Sequence, residues 1–403
     1  MADPTPLQPI RTDERIEAID VVRGFALFGV LLANLVWWTQ REHLEKAARD
    51  ALPTARLDAV VTQANTLLIE GKFFTLFSFL FGLGFAVQLQ RAAARGGDGT
   101  RIYRRRLLVL LGIGLLHNTF VWAGDVLHIY ALLGLLLPFA NRLATRTLLW
   151  SGLVTATLLP AVVHALHAML LPQTDDIGPT EGFAALTQGP FLRVIEYFTV
   201  STWDYWRSSF GAGFTVDVFG RFLLGIWAGR VLLLHEPLRH ARLFRWLLAV
   251  GLAVGLLGNA VVVAAPDLFG QADARSTITR FLLPLVRTIS VPALSAAYLA
   301  ALVLGLQRPR IAAMLRHLAP VGRMALTNYL TQSLFYVLVF HGYCGLGLLG
   351  KVGSTFCLGC AVLLFAAQML FSRVWLQRFR FGPAEWLWRS LTYGRPQPMR
   401  LPA

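Results

Sequence analysis

Residues 68–90 read LIEGKFFTLFSFLFGLGFAVQLQ, and residues 91–106 continue as RAAARGGDGTRIYRRR. The first stretch is long enough to cross a bilayer as a helix, which takes about 20 mostly apolar residues. The second places Arg91, Arg95, Arg101, Arg104, Arg105 and Arg106 in one short connection. Arginines gathered between apolar helices are what the positive-inside rule expects of a cytoplasmic loop. An apolar crossing followed by a basic connection is therefore the unit from which the fold class is read.

The same unit recurs outward in both directions. Apolar stretches at 20–39, 106–122, 126–143, 147–171, 214–234, 244–265, 281–306, 323–341 and 353–375 give, with 68–90, about ten predicted transmembrane helices. The connection 235–245 carries Arg239, Arg242 and Arg245, and 307–322 carries Arg308, Arg310 and Arg316. The tail adds Arg378, Arg380, Arg389, Arg395 and Arg400. If ten spans alternate, all these arginines share one side. The opposite connections are arginine-free (123–125) or balanced by acids, as in 172–213 with Asp175, Asp176, Glu181, Glu196 and Asp204 against Arg193 and Arg207. The expected architecture is thus an all-α, polytopic membrane protein with N-in/C-in topology, in an inner membrane. It divides into a cytoplasmic segment 1–19, a membrane half 20–171, an external connection 172–213 and a second membrane half 214–403.

Composition agrees. Of 403 residues, 56% are hydrophobic and 15% charged, against about 25% charged in soluble domains. The mean hydropathy is +0.57. The net charge of +15 does not imply a nucleic-acid partner, because the basic residues fall where membrane topology requires them. Cys357 and Cys360 have C-x-x-C spacing, but they lie in a predicted span with no histidine or acid nearby. They read as small buried hydrophobes, as does Cys344. No metal-ligand spacing appears. The segment from Tyr197 to Trp206 is dense in aromatics and fits a helix lying at the headgroups, or a lid over an outward-facing pocket. Residues 40–67 read as a solvated amphipathic segment.

Ionisable and polar groups inside spans are costly, so each is a candidate for function. Asp20 and Arg23 share a helix face, either as a structural ion pair or as part of a site, and Gly24 allows another helix to approach closely. Lys72 either snorkels to the interface or serves a site. The most suggestive cluster is His117 before the tight Gly124-Asp125 turn, with His128 and Tyr130 following. So short a hairpin brings His117 and Asp125 together, and a carboxylate beside an imidazole orients a general base. Asn328, Tyr329 and Gln332 form a polar stripe on one span, either interhelical hydrogen bonding or a site. Arg221 has Asp217 four residues earlier as a natural partner.

Several of these motifs, in order, resemble the YeiB-like bacterial membrane proteins. They are the opening from Arg15 to Gly29 around Asp20-Val21-Val22-Arg23-Gly24, with Asn34, the stretch Gly71-Lys72-Phe73-Phe74, and the His117…Gly124-Asp125 hairpin. Gly322 to Tyr329 with Gln332-Ser333, and Phe381-Gly382-Pro383-Ala384-Glu385-Trp386, look like the family's second half, domain of unknown function 418. The N-terminal half is also similar to heparan-alpha-glucosaminide N-acetyltransferase and the wider transmembrane acyltransferases. That resemblance implies a transferase that moves an acyl group from cytoplasmic acyl-coenzyme A to a hydroxyl or amine at the outer face. The O-acyltransferases place a histidine eleven residues after the motif arginine. Here Asn34 stands there, as in the glucosaminide enzyme, and His43 is the histidine of the following loop.

The resemblance implies that Asp20, Arg23, Asn328, Tyr329 and Gln332 bind the donor, with Asn34 and Lys72 positioned to stabilise the oxyanion. His117, oriented by Asp125, is the expected base. The expected partners are membrane lipid and a glycan or small-molecule acceptor, with no metal and with a homodimer left open. The rival expectation is a transporter for a small hydrophobic or amphipathic solute, which would use the same polar residues as a binding site and proton relay.

Overall fold

The computed structural model describes residues 16–39, 46–94, 99–170, 179–265 and 277–401. Those residues form helices and no named strand; an isolated bridge joins Phe379 to Arg400. The first half contains α1 (Glu17–Ala33), α2 (Leu35–Thr39), α3 (Lys46–Asp50), α4 (Ala55–Leu68), α5 (Lys72–Ala94), α6 (Gly99–Phe120), α7 (Leu127–Gly134), α8 (Leu137–Ala140) and α9 (Thr145–Leu170). Two helices, α10 (Pro179–Gln188) and α11 (Phe191–Arg207), connect the halves. The second half contains α12 (Ser209–Arg230), α13 (Ala241–Ala264), α14 (Thr277–Leu306), α15 (Pro309–Leu315), α16 (Ala319–Arg323), α17 (Ala325–Phe340), α18 (Ser354–Trp375) and α19 (Pro383–Tyr393).

Seven helical segments among the described residues are long and apolar enough to cross a membrane: Glu17–Thr39, Ala55–Ala94, Thr145–His167, Ser209–Arg230, Ala241–Ala264, Pro284–Leu306 and Ser354–Trp375. The other three expected spans are helical but differ in character. The first turns of α6 hold Arg101, Arg104, Arg105 and Arg106, so its apolar part is short. The stretch 126–143 is divided into α7 and α8, with Pro138 opening the second piece, because proline cannot donate the backbone hydrogen bond that continuity needs. At 16 residues, α17 is short for a full crossing.

The segment 40–67 corrects the expectation of a solvated connection. Its residues 40–45, with His43, lie outside the described set, but 55–68 form α4, packed into the bundle. Asp58 is fully buried. Its carboxylate accepts from Thr54 Oγ1 at 2.9 Å and from the Thr355 backbone N–H at 2.8 Å. A side chain that looks solvated in sequence thus satisfies an orphan donor in the first turn of α18. From the same helix Asn65 donates to the Leu32 carbonyl at 2.8 Å, beside the break between α1 and α2.

Close backbone approach sets how α1 meets the second half. A Cβ added at Gly24 would strike the Leu318 carbonyl, and one at Gly322 would strike the Asp20 carbonyl. These two glycines let α1 and α16 pack backbone to backbone. Arg316 pairs with Glu17 at 2.9 Å at the same end. One apolar core cluster joins α1 to α5, α13 and α14, and another joins α1 and α2 to α11, α17 and α18. Arg221 is paired with Asp217, as its spacing predicts.

At the arginine-rich end, α19 folds back over the bundle. Glu385 accepts from the backbone N–H groups of Leu326 (2.6 Å) and Thr327 (3.1 Å) and from Thr327 Oγ1 (2.6 Å). It supplies the start of α17 with the acceptor that a helix N-terminus lacks. Trp388 donates from Nε1 to the Arg106 carbonyl at 2.8 Å, and the Arg106 guanidinium lies 4.1 Å over the Trp388 ring.

Candidate functional site

The hairpin between α6 and α7 turns in six residues, and Asp125 sits at its tip. Its backbone N–H is bonded to the Trp122 carbonyl at 3.2 Å, and its Oδ2 accepts from the His128 backbone N–H at 3.0 Å. The carboxylate therefore caps the first turn of α7. It also accepts two imidazoles: His117 Nδ1 lies 2.9 Å from Oδ1, and His128 Nδ1 lies 3.0 Å from Oδ2. From α17, the Tyr329 hydroxyl donates to Oδ1 at 3.3 Å. All three hairpin side chains are buried.

This geometry fixes the protonation pattern. Burial pushes the Asp125 carboxyl up, but hydrogen bonds from and attraction to the two histidines outweigh it and hold the group below the ordinary carboxylate range. An ionised carboxylate only accepts, so each Nδ1 carries its proton and donates. In a neutral ring Nε2 is then a bare acceptor. The Nε2 atoms of both His117 and His128 are buried with no hydrogen-bond partner.

A cavity of about 320 Å³ leads toward this cluster, within the usual range for small-molecule sites. Arg23, Arg91, Arg106, Arg323 and Arg389 line it at the arginine-rich end, beside Trp388 of α19. Its wall then becomes apolar and aromatic, through Phe77, Phe81 and Leu110. Val126, Leu127, Tyr130 and Tyr329 line the part next to the Asp125 cluster. Arg23 Nη1 is 3.2 Å from Asp20 Oδ1, Arg106 Nη1 donates to Gln88 Oε1 at 3.0 Å, and Arg323 Nε is buried without a partner.

The structure thus brings together His117, Asp125 and Tyr329, of which Tyr329 lines the cavity, and puts Asp20 and Arg23 in the cavity wall. It separates the other sequence candidates. Asn328 and Gln332 are four apart and about 40° from each other around the helix, whereas Tyr329 points about 100° from Asn328 and about 60° from Gln332. Asn328 Nδ2 donates to Ser372 Oγ at 3.0 Å, and Gln332 Nε2 donates to Gln368 Oε1 at 3.0 Å. These two side chains tie α17 to α18 and are not in the cavity wall. Lys72 does not snorkel: it is 1% exposed, and its Nζ donates to the Thr66 carbonyl at 2.6 Å. Asn34 is half-buried at the junction of α1 and α2. Neither Lys72 nor Asn34 lines the cavity.

Three contributors take on roles that the sequence alone did not give them. His128 was named beside Asp125, but not as a second imidazole on its carboxylate; the three-residue spacing carried that signal, since i and i+3 share a helix face. Trp388 and Arg106 are 282 positions apart, so no local pattern joins them. The third is α11. Its Thr202 Oγ1 accepts from Asn118 Nδ2 at 2.6 Å, and Trp206 stands 6.0 Å from the His128 ring, edge-on. The aromatic helix lies across the hairpin, with Trp203 exposed and Val194 and Phe198 turned inward.

Residues 228–395 match the family described as protein of unknown function (DUF418). The chain is 33% identical over 417 residues to the uncharacterized protein YxaH of Bacillus subtilis (strain 168), covering 98% of both chains. It is 31% identical over 410 residues to the uncharacterized protein YeiB of Escherichia coli (strain K12), covering 94% of this chain and 96% of that one. An uncharacterized 39.9 kDa protein in the amylase 3' region of Bacillus acidopullulyticus is 29% identical over 414 residues, covering 98% and 99%.

Proposed function

The chain belongs to the YeiB-like family, and from that premise we propose that it is a membrane-bound acyltransferase that takes its acyl group from acyl-coenzyme A. The observation that carries the reading is the cavity: it has an arginine-lined end, an apolar wall, and a far end formed by Val126, Leu127, Tyr130 and Tyr329, the last of which donates to Asp125 of the His117–Asp125–His128 cluster. Coenzyme A thioesters have that polarity, with phosphates at one end, a slender arm and an acyl carbonyl at the other. Arg23, Arg106 and Arg323 would meet the phosphate oxygens, as guanidinium groups do well. The arm would lie against Phe77 and Phe81, bringing the carbonyl beside Tyr329 and Leu127.

The topology completes the proposal. With ten crossings in N-in/C-in order, the arginine-lined end would face the cytoplasm of a bacterial inner membrane, where acyl-coenzyme A is made. The hairpin tip and α11 would then face outward, where a hydroxyl or amine acceptor, a glycan or a small molecule, would approach. The chemistry is then ordinary acyl transfer. The acceptor heteroatom attacks the thioester carbonyl, the histidine–aspartate cluster takes its proton, and the carbon–sulfur bond breaks. Tyr329 lies in the cavity wall, and its one hydroxyl proton is donated to Asp125, so it ties the cluster to the cavity and holds the carboxylate in place.

The test is donor turnover. Protein in nanodiscs should release free thiol from acetyl-coenzyme A, and His117→Ala should slow that release by about 10²–10⁴-fold while donor binding survives. Wild-type protein that neither binds nor cleaves acetyl-coenzyme A would overturn the proposal and leave the solute-transport reading.

A further inference from the structure

Asp125 holds two imidazoles, and a purely structural role for both does not account for their far sides. Each ring is anchored through Nδ1, which turns its Nε2 away from the carboxylate. Both Nε2 atoms are buried and unpartnered. An unsatisfied buried acceptor costs about 1–3 kcal/mol, so a hairpin built only for stability would not keep two. The pair is also asymmetric in its surroundings. The His117 ring lies 5.3 Å from the ring of Tyr329, which lines the cavity. The His128 ring lies against Trp206 of α11, the helix that crosses the hairpin. Neither imidazole is itself in the cavity wall; His117 stands behind Tyr329, which is, and His128 stands between Leu127 of the wall and Trp206 of α11. A single carboxylate balances one imidazolium, so the cluster is electrically neutral when one ring is protonated and the other is not.

We propose that His128 is a second catalytic residue, the base for the acceptor, and that His117 is the acid for the leaving thiolate. This rests on the acyltransferase reading and divides the labour within it. The acceptor oxygen or nitrogen forms its bond to the thioester carbon as His128 Nε2 takes its proton. The tetrahedral intermediate collapses, the carbon–sulfur bond breaks with its electron pair on sulfur, and His117 Nε2–H protonates that sulfur. One proton has left the acceptor and one has reached the thiol. The cluster resets when the proton on His128 returns through water to His117. Nothing is oxidised or reduced.

The experiment uses the full-length protein in nanodiscs with acetyl-coenzyme A as donor and thiol release as readout. His117→Asn and His128→Asn each keep an amide N–H near the Nδ1 position for Asp125 and remove Nε2. Two acceptors are compared: water, which must lose a proton as it attacks, and hydroxylamine, which attacks through a neutral lone pair. With water, both variants should be about 10²-fold or more below wild type. With hydroxylamine, His128→Asn should return close to the wild-type rate while His117→Asn stays depressed. Equal losses for His128→Asn with both acceptors, or rescue of His117→Asn instead, would overturn the assignment. A wild-type protein that releases no thiol with either acceptor and does not bind acetyl-coenzyme A would remove the acyltransferase reading and this inference with it. Acetyl-coenzyme A affinity and elution profile are measured for every variant, and His128→Gln replaces His128→Asn if the latter does not elute as folded protein.

Discussion

His117 Nδ1 and Asp125 Oδ1 stand 2.9 Å apart, with both side chains closed to solvent. Breaking a buried charged contact from one side is costly, so Asp125→Ala should destabilise the protein by about 3–5 kcal/mol. Asp125→Asn should cost less, because the amide oxygen still accepts. The folded carboxyl lies below its ordinary value. A depressed acid stabilises the fold fully above its unfolded pKa of about 3.9, and that contribution is lost as pH falls through the lower folded value. The gap in unfolding temperature between wild type and Asp125→Asn should therefore narrow below about pH 4. Thermal unfolding in that acidic range checks this, and a gap that widens below about pH 4 would contradict it.

Sidedness can be read from one native cysteine. Cys344 is exposed in the connection between α17 and α18, and Leu238 is 73% exposed between α12 and α13. A membrane-impermeant maleimide applied to intact cells should label Cys344 and should not label a Leu238→Cys site introduced into a Cys344→Ser background. Labelling of both positions from outside would refute the proposed topology.

Glu385 joins the C-terminal helix to the start of α17. Its replacement by alanine leaves the Leu326 and Thr327 N–H groups without their acceptor, a cost of about 1–3 kcal/mol. Glu385→Gln, which keeps an accepting oxygen, should lose less. Because α19 also lines the cavity, the proposed function predicts that Glu385→Ala raises the KM for acetyl-coenzyme A as well as lowering the unfolding temperature. A change in stability with an unchanged KM would separate the cap from the cavity.

The contact of α1 with α16 depends on having no side chain at Gly322. A methyl group there overlaps the Asp20 carbonyl, and overpacking of this kind costs about 1–3 kcal/mol. Gly359 has open space around it, so Gly359→Ala should be close to neutral. Comparing the two variants by unfolding temperature in the same detergent tests the packing without reference to function.

The helical positions were legible because lipid demands long apolar runs, and each expected span has a helix in the structure. The part that misled was 55–68, where Asp58 and Asn65 look solvated in sequence. Their partners, the Thr355 N–H and the Leu32 carbonyl, come from distant or broken helix ends that no local pattern reveals. The His117–Asp125 contact was legible because eight residues with a tight turn leave it little choice. Periodicity could group Asn328 with Gln332, but it could not say that their face meets Gln368 and Ser372 while Tyr329 meets Asp125. The arginine-lined end of the cavity was legible as charge but not as a site, since Arg106, Arg323 and Trp388 converge only through tertiary packing.

The central claim is that the arginine-lined cavity receives a coenzyme A thioester, and equilibrium binding of acetyl-coenzyme A to the nanodisc-held protein tests it most directly. Arg323 has a buried, unpartnered Nε in the lining. Loss of a hydrogen bond to a charged group is worth about 1.5–3 kcal/mol. The account predicts saturable binding, competition by free coenzyme A, and an affinity about 10–100-fold weaker in Arg323→Ala. No saturable binding by the wild type, or equal affinity in Arg323→Ala, would contradict it.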